Sequence, residues 1–193
     1  LIESQFISFF DLVIVVSPSI SDWYSEEYGI KHPLVVMNTP PLKEIELVNS
    51  NYFREKFKID DHTKIFLYQG GLLKGRGIEL LLEAFSSVDV KDAVIVFMGF
   101  GCLENLVKDY SEINSKVFFH EAVEPEDLDN YTQSADCGLS IIENICLSYY
   151  YCLPNKLFEY VRSGVPVVAS NMVEMKRFVY HNEVGYVLQQ NTK

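Results

Sequence analysis

KIFLYQGGLLKGRGIELLLEAF (64–85) is the most informative segment of this 193-residue sequence for its fold. It begins with an apolar, β-branched run, continues through a loop with four glycines, and ends in a segment whose apolar residues repeat at helical spacing. A strand that is buried on both faces and runs through a short loop into a helix is typical of a βα unit. The stretch therefore predicts one repeat of an α/β fold with a parallel sheet.

The same alternation of strand and helix continues on both sides of this stretch. The other short apolar runs that resemble buried strands are LVIVVS (12–17), LVVMN (34–38), AVIVFMG (93–99), KVFFHEA (116–122), DCGLSII (136–142), PVVAS (166–170) and GYVL (185–188). Helical patterns separate most of them. Six strands follow residue 50, which is enough for one Rossmann-like domain. We therefore predict an α/β fold with three layers, α/β/α, around a parallel sheet.

The composition changes in NTPPLKEIELVNSN (38–51), which holds the one Pro-Pro pair and has no clear period. We interpret it as a linker. The predicted division is residues 1–40, too short for a domain of their own, a linker at 41–50, and a Rossmann-like domain at 51–193. Because the chain starts at Leu1 and its first nine residues already have a helical pattern, we expect a fragment of a longer protein.

The charge balance excludes several classes of function. Lys and Arg number 16 and Asp and Glu number 27, so the formal net charge is −11. This argues against binding to nucleic acid and against a broad basic membrane-binding face. The longest apolar run, LVIVVS, is too short to span a bilayer. The four cysteines form no C-x-x-C pair and have no histidine at metal-finger spacing, so we predict reduced cysteines and no metal site.

The glycine-rich loop after the strand at 64–69 places Gly70, Gly71, Lys74 and Arg76 ahead of a helix N-terminus. Backbone N–H groups, a helix dipole and two cations together make an anion site, most naturally for phosphate. The alternative is a tight turn with two solvated basic side chains. A Walker phosphate loop is excluded, because its G-x-x-x-x-G-K-[ST] motif is not completed here.

Two later loops carry weaker signals. Gly99-Phe100-Gly101 is half of a dinucleotide fingerprint, but Glu104 occupies the third glycine position, so it indicates close backbone approach rather than NAD. The acidic run at 124–129 is better explained by a helix that begins at Pro125 than by a metal site. His120 ends a strand, where it either lines a ligand cleft or is a hydrogen-bonded group at the rim.

SYYYCLPNKLFEYVRSGVPVVAS (148–170) is the richest segment. Pro154 begins a helix with Asn155 and Lys156 in its first turn, where a cation is unfavourable unless it meets an anion. Glu159 lies three residues further on the same side of the helix. Beside apolar neighbours this carboxylate needs a hydrogen-bonding partner, such as ribose hydroxyls. The alternative is a surface Lys–Glu pair of little energetic value.

These segments resemble retaining glycosyltransferases of family 4, which have the GT-B fold. Residues 11–40, DLVIVVSPSISDWYSEEYGIKHPLVVMNTP, are similar to the end of the family's N-terminal domain. The segments similar to the C-terminal donor-binding domain are LYQGGLLKGRGIELLLEAF (67–85), VFMGFG (96–101), VFFHEAVEPEDLDNYTQSADCGLS (117–140) and LPNKLFEYVRSGVPVVAS (153–170). The P-N-K-x-x-E form of the last segment is similar to a subgroup linked to bacterial surface polysaccharides. On this resemblance, residues 1–40 are a remnant of the N-terminal domain.

The resemblance implies roles for the basic residues. Arg76 falls where such enzymes place a basic residue on the donor diphosphate. Gly71 stands at the other usual basic position of that loop, so Lys74 or Lys156 would supply the missing contact.

The resemblance also implies how the nucleoside is bound. Glu159 matches the second of two family glutamates, which binds the ribose. Tyr151 stands where the first would fall, which affects recognition of the donor sugar. Residues 120–123, including Ala122 and Val123, lie where backbone atoms meet the base.

The implied activity is retaining transfer of a sugar from a UDP- or GDP-linked donor to a hydroxyl of a glycan or lipid-linked acceptor, without metal or cofactor. Arg76, Lys156 and Glu159 are the expected catalytic residues, with the cations stabilising the leaving diphosphate. We expect a cytoplasmic protein, peripheral on the inner face of the plasma membrane through a missing N-terminal domain, and little activity from this fragment alone. The alternatives are a sugar epimerase or phosphorylase of the same fold, and a non-catalytic nucleotide-sugar-binding or scaffold module.

Overall fold

The computed structural model describes residues 2–41, 50–87 and 90–189. Their strands form two separate parallel sheets. The small sheet pairs β1 (Ile14–Val15) with β2 (Leu34–Val35). The main sheet contains β3 (Lys64–Gln69), β4 (Ala93–Met98), β5 (Val117–His120), β6 (Cys137–Ser140), β7 (Val167–Ala169) and β8 (Gly185–Val187). Each strand lies inside a predicted run, so the predicted parallel α/β fold is confirmed.

Helices cover both faces of the main sheet, whose strand order is β5-β4-β3-β6-β7-β8. The helices are α1 (Ile2–Phe6), α2 (Pro18–Tyr28), α3 (Tyr52–Phe57), α4 (Ile78–Ser86), α5 (Glu104–Ile113), α6 (Leu128–Thr132), α7 (Leu147–Tyr150), α8 (Asn155–Arg162) and α9 (Val173–Asn182), with a 3-10 turn at Ile7–Phe9. Alternate residues of β4 enter two separate apolar clusters, one with α4 and α5 and the other with α3, α8 and α9. The three layers follow from this alternation.

The helix expected from Pro125 begins later than predicted. Residues 124–127 form a turn that is closed by the Asp127 N–H on the carbonyl of Glu124 at 3.0 Å, and α6 starts at Leu128. The acidic residues before it therefore lie in the turn.

Close packing fixes α8 against the centre of the main sheet. The buried Tyr160 hydroxyl accepts the N–H of Gln69 at 3.0 Å and lies 2.9 Å from the carbonyl oxygen of Leu67. Beneath its ring, β6 carries Gly138, where a Cβ would overlap the ring. Because the helix is held on β3 and β6, its N-terminus lies at the carboxyl ends of these strands.

The predicted linker at 41–50 falls mostly on residues 42–49, which lie outside the described residues. Its first residue contacts α8, since the Arg162 guanidinium donates to the carbonyl of Pro41 at 3.3 Å. The division at residues 40 and 51 stays a prediction. Among the described helices, none combines the length and the apolar character needed to cross a membrane.

Candidate functional site

A cavity of about 450 Å³ lies at the carboxyl end of β3. Its walls come from the loops after β1 and β2, from the end of β3, and from the start of α8. The chain continues from β3 to β4 on one side and later returns to β6 on the other, so β3 and β6 flank the point where the strand order reverses. Open α/β sheets bind ligands in the crevice at such a point.

A larger cavity of about 600 Å³ lies among residues 7–13 and 30–35. It is a mostly apolar groove along the small sheet, and none of the predicted site residues lines it. The smaller cavity brings together Gly70, Arg76, Pro154, Asn155, Lys156 and Glu159 from the predicted set. We therefore take the smaller cavity as the candidate site.

Each of the two cations at this cavity lies over an aromatic ring. The Arg76 guanidinium carbon is 4.6 Å from the ring centroid of Tyr149, and Lys156 Nζ is 3.6 Å from that of Tyr68. The pKa of Lys156 is lowered to about 7, chiefly by burial; the Arg76 charge contributes to this shift, and Glu159 opposes it. A bound anion would relieve both the burial and the repulsion, so the pair is suited to a phosphate.

The carboxylate of Glu159 is oriented by a chain of buried amide and hydroxyl groups. Gln69 Nε2 donates to Glu159 Oε2 at 2.8 Å, and Thr132 Oγ1 donates to Gln69 Oε1 at 2.9 Å. Gln69 is 1% exposed and Thr132 is fully buried. In the described part of the chain no ion pair joins Lys156 to Glu159. The ammonium lies over the Tyr68 ring, and the carboxylate accepts from Gln69. The two side chains therefore do not form the surface Lys–Glu pair that the sequence also allows.

The N-terminus of α8 opens towards the same cavity. Pro154 is its N-cap, no side chain caps the helix, and the first N–H groups have no intrahelical acceptor. Gly70 lies opposite with φ +107°, and a Cβ on it would come within 3.9 Å of Lys156 Nζ. A glycine here keeps the space beside the ammonium open, and the free N–H groups add to an anion site.

Three other predicted residues lie near the cavity without lining it. Lys74 is exposed in the loop, so of the two lysines considered for the missing contact, Lys156 is the one at the cavity. The Gly71 carbonyl accepts the Tyr68 hydroxyl at 2.9 Å, which fixes the ring beneath Lys156. Gly99 packs on the backbone of Gly70, and a Cβ on Gly99 would clash with it. The structure therefore requires glycine at this position because two loops lie in contact there.

The predicted base-contacting residues lie at the end of β5, away from the cavity walls. His120 is 6% exposed, its Nε2 is 2.9 Å from the Tyr52 hydroxyl, and its Nδ1 is 2.6 Å from the Glu121 carbonyl. Because a carbonyl only accepts, Nδ1 carries the proton, and Nε2 accepts from the phenol. Burial lowers the pKa of His120, although the Glu121 carbonyl opposes this. Ala122 is exposed and Val123 is half-buried.

Sequence reasoning missed Tyr68, Gln69, Tyr149 and Asn38. Gln69 carries a local signal, because it is a polar residue that ends an apolar strand directly before two glycines. The other three have none, since tertiary packing brings them to the cavity or beneath its cations. Among the described residues, no group of three His, Cys, Asp or Glu side chains is placed to hold a metal ion.

Residues 49–193 match the family model described as "Glycosyl transferases group 1". No curated protein sequence is significantly similar to the chain. Solved structures share its fold. WaaG, a glycosyltransferase involved in lipopolysaccharide biosynthesis, is 14% identical with a TM-score of 0.72, over 93% of this chain and 50% of its own. HepE of Anabaena, solved with UDP and glucose, is 15% identical with a TM-score of 0.75, over 98% and 53%.

Sucrose-phosphate synthase of Thermosynechococcus elongatus is 21% identical with a TM-score of 0.70, over 99% of this chain and 48% of its own. The chain thus spans about half the length of each of these structures. At these identities the likeness is one of fold, whereas the family model covers most of the sequence. The chain belongs to the group 1 glycosyl transferase family, whose structural neighbours have the GT-B fold.

Proposed function

We propose that this chain is the donor-binding part of a retaining glycosyltransferase and binds a UDP- or GDP-linked sugar. The observation that carries the proposal is the convergence of Arg76, Lys156 and Glu159 with the open N-terminus of α8 at one cavity. Two cations and free N–H groups suit a diphosphate, and an oriented carboxylate accepts hydrogen bonds from ribose hydroxyls. HepE, which shares the fold, was solved with UDP.

The proposed chemistry breaks the bond between sugar C1 and the phosphate oxygen. The leaving diphosphate gains negative charge, which Arg76, Lys156 and the α8 N-terminus stabilise in the transition state. These groups take the electrostatic role that a divalent ion has in many phosphate-transfer sites, so binding is proposed to be independent of metal. The oxygen of an acceptor hydroxyl then bonds to C1 with retention, and the hydroxyl proton passes to the leaving diphosphate.

The proposed setting is bacterial polysaccharide or glycolipid synthesis in the cytoplasm. WaaG, which shares the fold, is involved in lipopolysaccharide biosynthesis, and this supports a glycan or lipid-linked acceptor. Because the chain spans about half of each matched structure, we propose that an N-terminal domain in the same protein binds the acceptor and makes any peripheral membrane contact. Residues 51–193 form the donor domain in this proposal.

Calorimetric titration of the chain with UDP, GDP, ADP and the matching nucleosides tests the proposal, first without metal and then with Mg²⁺. We expect one diphosphate to bind without Mg²⁺ and its nucleoside to bind more weakly. Absence of binding by every diphosphate under both conditions would contradict the donor site, and binding only with Mg²⁺ would contradict its metal independence. We also expect no useful rate of sugar transfer by this chain alone, and robust turnover would contradict that part.

A second candidate is a non-catalytic nucleotide-sugar-binding or scaffold module. Its support is Tyr151, which stands where the resemblance places a carboxylate and whose ring instead packs edge-on against Tyr150 at 4.9 Å. Assay of the full-length protein with the nucleotide sugar that binds best separates the two candidates. Transfer to an acceptor supports the enzyme, and tight binding without transfer supports the module.

A further inference from the structure

A buried carboxylate of the main domain caps a helix that begins beside the small sheet. Glu174 lies in the first turn of α9 and is 3% exposed. Its Oε1 accepts the backbone N–H of Ser19, in the first turn of α2, at 2.8 Å. The same oxygen lies 3.1 Å from Arg177 Nη1. The contact joins residues that are 155 positions apart in the sequence.

This carboxylate supplies a side-chain acceptor at the start of α2. Its N-cap, Ser17, makes no side-chain capping bond, and Pro18 at the first helical position has no N–H. The N–H of Ser19 is therefore the first donor of the helix, and Glu174 accepts it. A negative charge at this position also interacts favourably with the dipole of an 11-residue helix.

This contact joins α9 of the main domain to α2, which follows a loop that lines the candidate cavity. Helix α2 follows β1 directly, and Val16 in the intervening loop lines the cavity together with Asn38, which follows β2. A second, longer contact runs from Ser17 Oγ to the carbonyl of Tyr151 at 3.4 Å. The carboxyl edges of the two sheets thus face each other across the cavity, beside the capped helix.

Asn38 presents a polar group at this cavity. Its side chain is exposed, and in the described part of the chain its amide has no hydrogen-bond partner. An amide offers both donors and an acceptor, which suits sugar hydroxyls. A diphosphate on Arg76 and Lys156 would direct the attached sugar towards the opposite wall.

We propose that Glu174 is a positioning residue for donor-sugar recognition: by capping α2 it holds the small sheet so that Asn38 contacts the sugar of the bound nucleotide sugar. This rests on the proposed donor site. We expect the effect to be limited to the sugar, because Glu174 contacts neither Arg76 nor Lys156. Loss of the cap weakens binding of the nucleotide sugar and leaves binding of the diphosphate unchanged.

Amide hydrogen exchange of the unliganded chain tests whether Glu174 caps α2. In Glu174→Ala we expect the Ser19 amide to exchange at least tenfold faster than in the wild type, since it loses a hydrogen bond to a charged group. Glu174→Gln keeps an acceptor oxygen and restores most of the protection. Lys176→Ala, an exposed lysine of the same helix, is the control and leaves exchange unchanged. Unchanged exchange in Glu174→Ala overturns the proposal.

Calorimetry with UDP, UDP-glucose, GDP and GDP-mannose tests the positioning. We expect Glu174→Ala and Asn38→Ala each to weaken binding of the tighter-binding nucleotide sugar by about tenfold, relative to binding of its diphosphate. The double variant shows no further loss, because both changes remove one contact. If Glu174→Ala leaves the ratio of nucleotide-sugar affinity to diphosphate affinity unchanged, the positioning role is overturned. It is also overturned if the wild type binds the nucleotide sugar no more tightly than the diphosphate. If the wild type binds none of these four ligands, the proposed donor site is wrong. Hydrogen exchange at Ser19 still tests separately whether Glu174 caps α2.

Discussion

The ammonium group of Lys156 lies 3.6 Å from the centre of the Tyr68 ring. The ring is fully buried, and its hydroxyl donates to the Gly71 carbonyl at 2.9 Å, so it is fixed beneath the cation. Such a contact stabilises a partly desolvated cation by about 0.5–2 kcal/mol. Burial, with a smaller contribution from the Arg76 charge, lowers the pKa of this ammonium to about 7.

Diphosphate affinity should therefore depend on pH. The pKa of Lys156 is lowered from its ordinary value, so the ammonium is present below about pH 7 and is lost above it. The terminal phosphate of the ligand is fully charged above its own pKa of about 6. We expect affinity to be greatest near pH 7 and to fall towards pH 9, by at most about tenfold per pH unit for one proton. Calorimetry from pH 7 to pH 9 measures this dependence.

The control for this prediction is Lys156→Arg, which stays charged across the range because the guanidinium pKa exceeds about 12. Its affinity should vary little with pH. In buffers of different ionisation enthalpy, the wild type should take up protons on binding at pH 7.5, since the bound anion raises the Lys156 pKa again. Binding without proton uptake would contradict the assignment.

The ring of Tyr149 should hold Arg76 ready for the ligand. The guanidinium lies over this ring at 4.6 Å, and the contact leaves the side chain less freedom to lose on binding. We expect Tyr149→Leu to weaken diphosphate binding by about 0.5–1 kcal/mol, which is roughly twofold to fivefold. Tyr149→Phe keeps the ring and should bind as the wild type does. Equal losses in the two variants would show that the hydroxyl matters instead of the ring.

Gln69 should determine how well Glu159 binds the ribose. Gln69→Leu removes the donor that orients the carboxylate at 2.8 Å. We expect nucleoside affinity to fall by about 1–2 kcal/mol, while titration with inorganic pyrophosphate shows no change. In a Glu159→Ala background the substitution should have no further effect, because both act through one contact. Additive losses of affinity in the double variant would show that Gln69 acts independently of Glu159, which would contradict the prediction.

Gly138 should be essential for the placement of α8. Because a Cβ there would overlap the Tyr160 ring, we expect Gly138→Ala to lower the free energy of unfolding by about 1–3 kcal/mol in urea titrations. Gly29→Ala is the comparison, since nothing lies within 4 Å and only its left-handed backbone, at φ +63°, adds about 1 kcal/mol. A smaller loss at Gly138 than at Gly29 would be inconsistent with the packing of Tyr160 on β6.

Much of the fold is predictable from local pattern. The eight strands of the described residues lie within apolar runs of the sequence, because strands buried on both faces of a parallel sheet must be apolar almost throughout. The helix expected at Pro125 begins at Leu128, since nothing local distinguishes an acidic turn from an acidic first helical turn. Helix boundaries depend on hydrogen bonds that composition does not specify.

The site is predictable only where its residues share a segment. Lys156 and Glu159 come from one helix and Arg76 from one glycine-rich loop, and all three line one cavity. Tyr149 and Asn38 reach this region through tertiary packing, which has no counterpart in local spacing. Lys74 has the same charge and loop as Arg76, but its side chain is exposed and away from the cavity walls, and local spacing alone does not distinguish the two.

Binding of the donor diphosphate by Arg76 can be tested by titrating the wild type and Arg76→Ala with UDP, GDP, uridine and guanosine. Because the lost contact is to phosphate, we expect the variant to bind the preferred diphosphate at least tenfold more weakly and to bind its nucleoside as the wild type does. Equal weakening of diphosphate and nucleoside, or no weakening of either, would contradict the assignment.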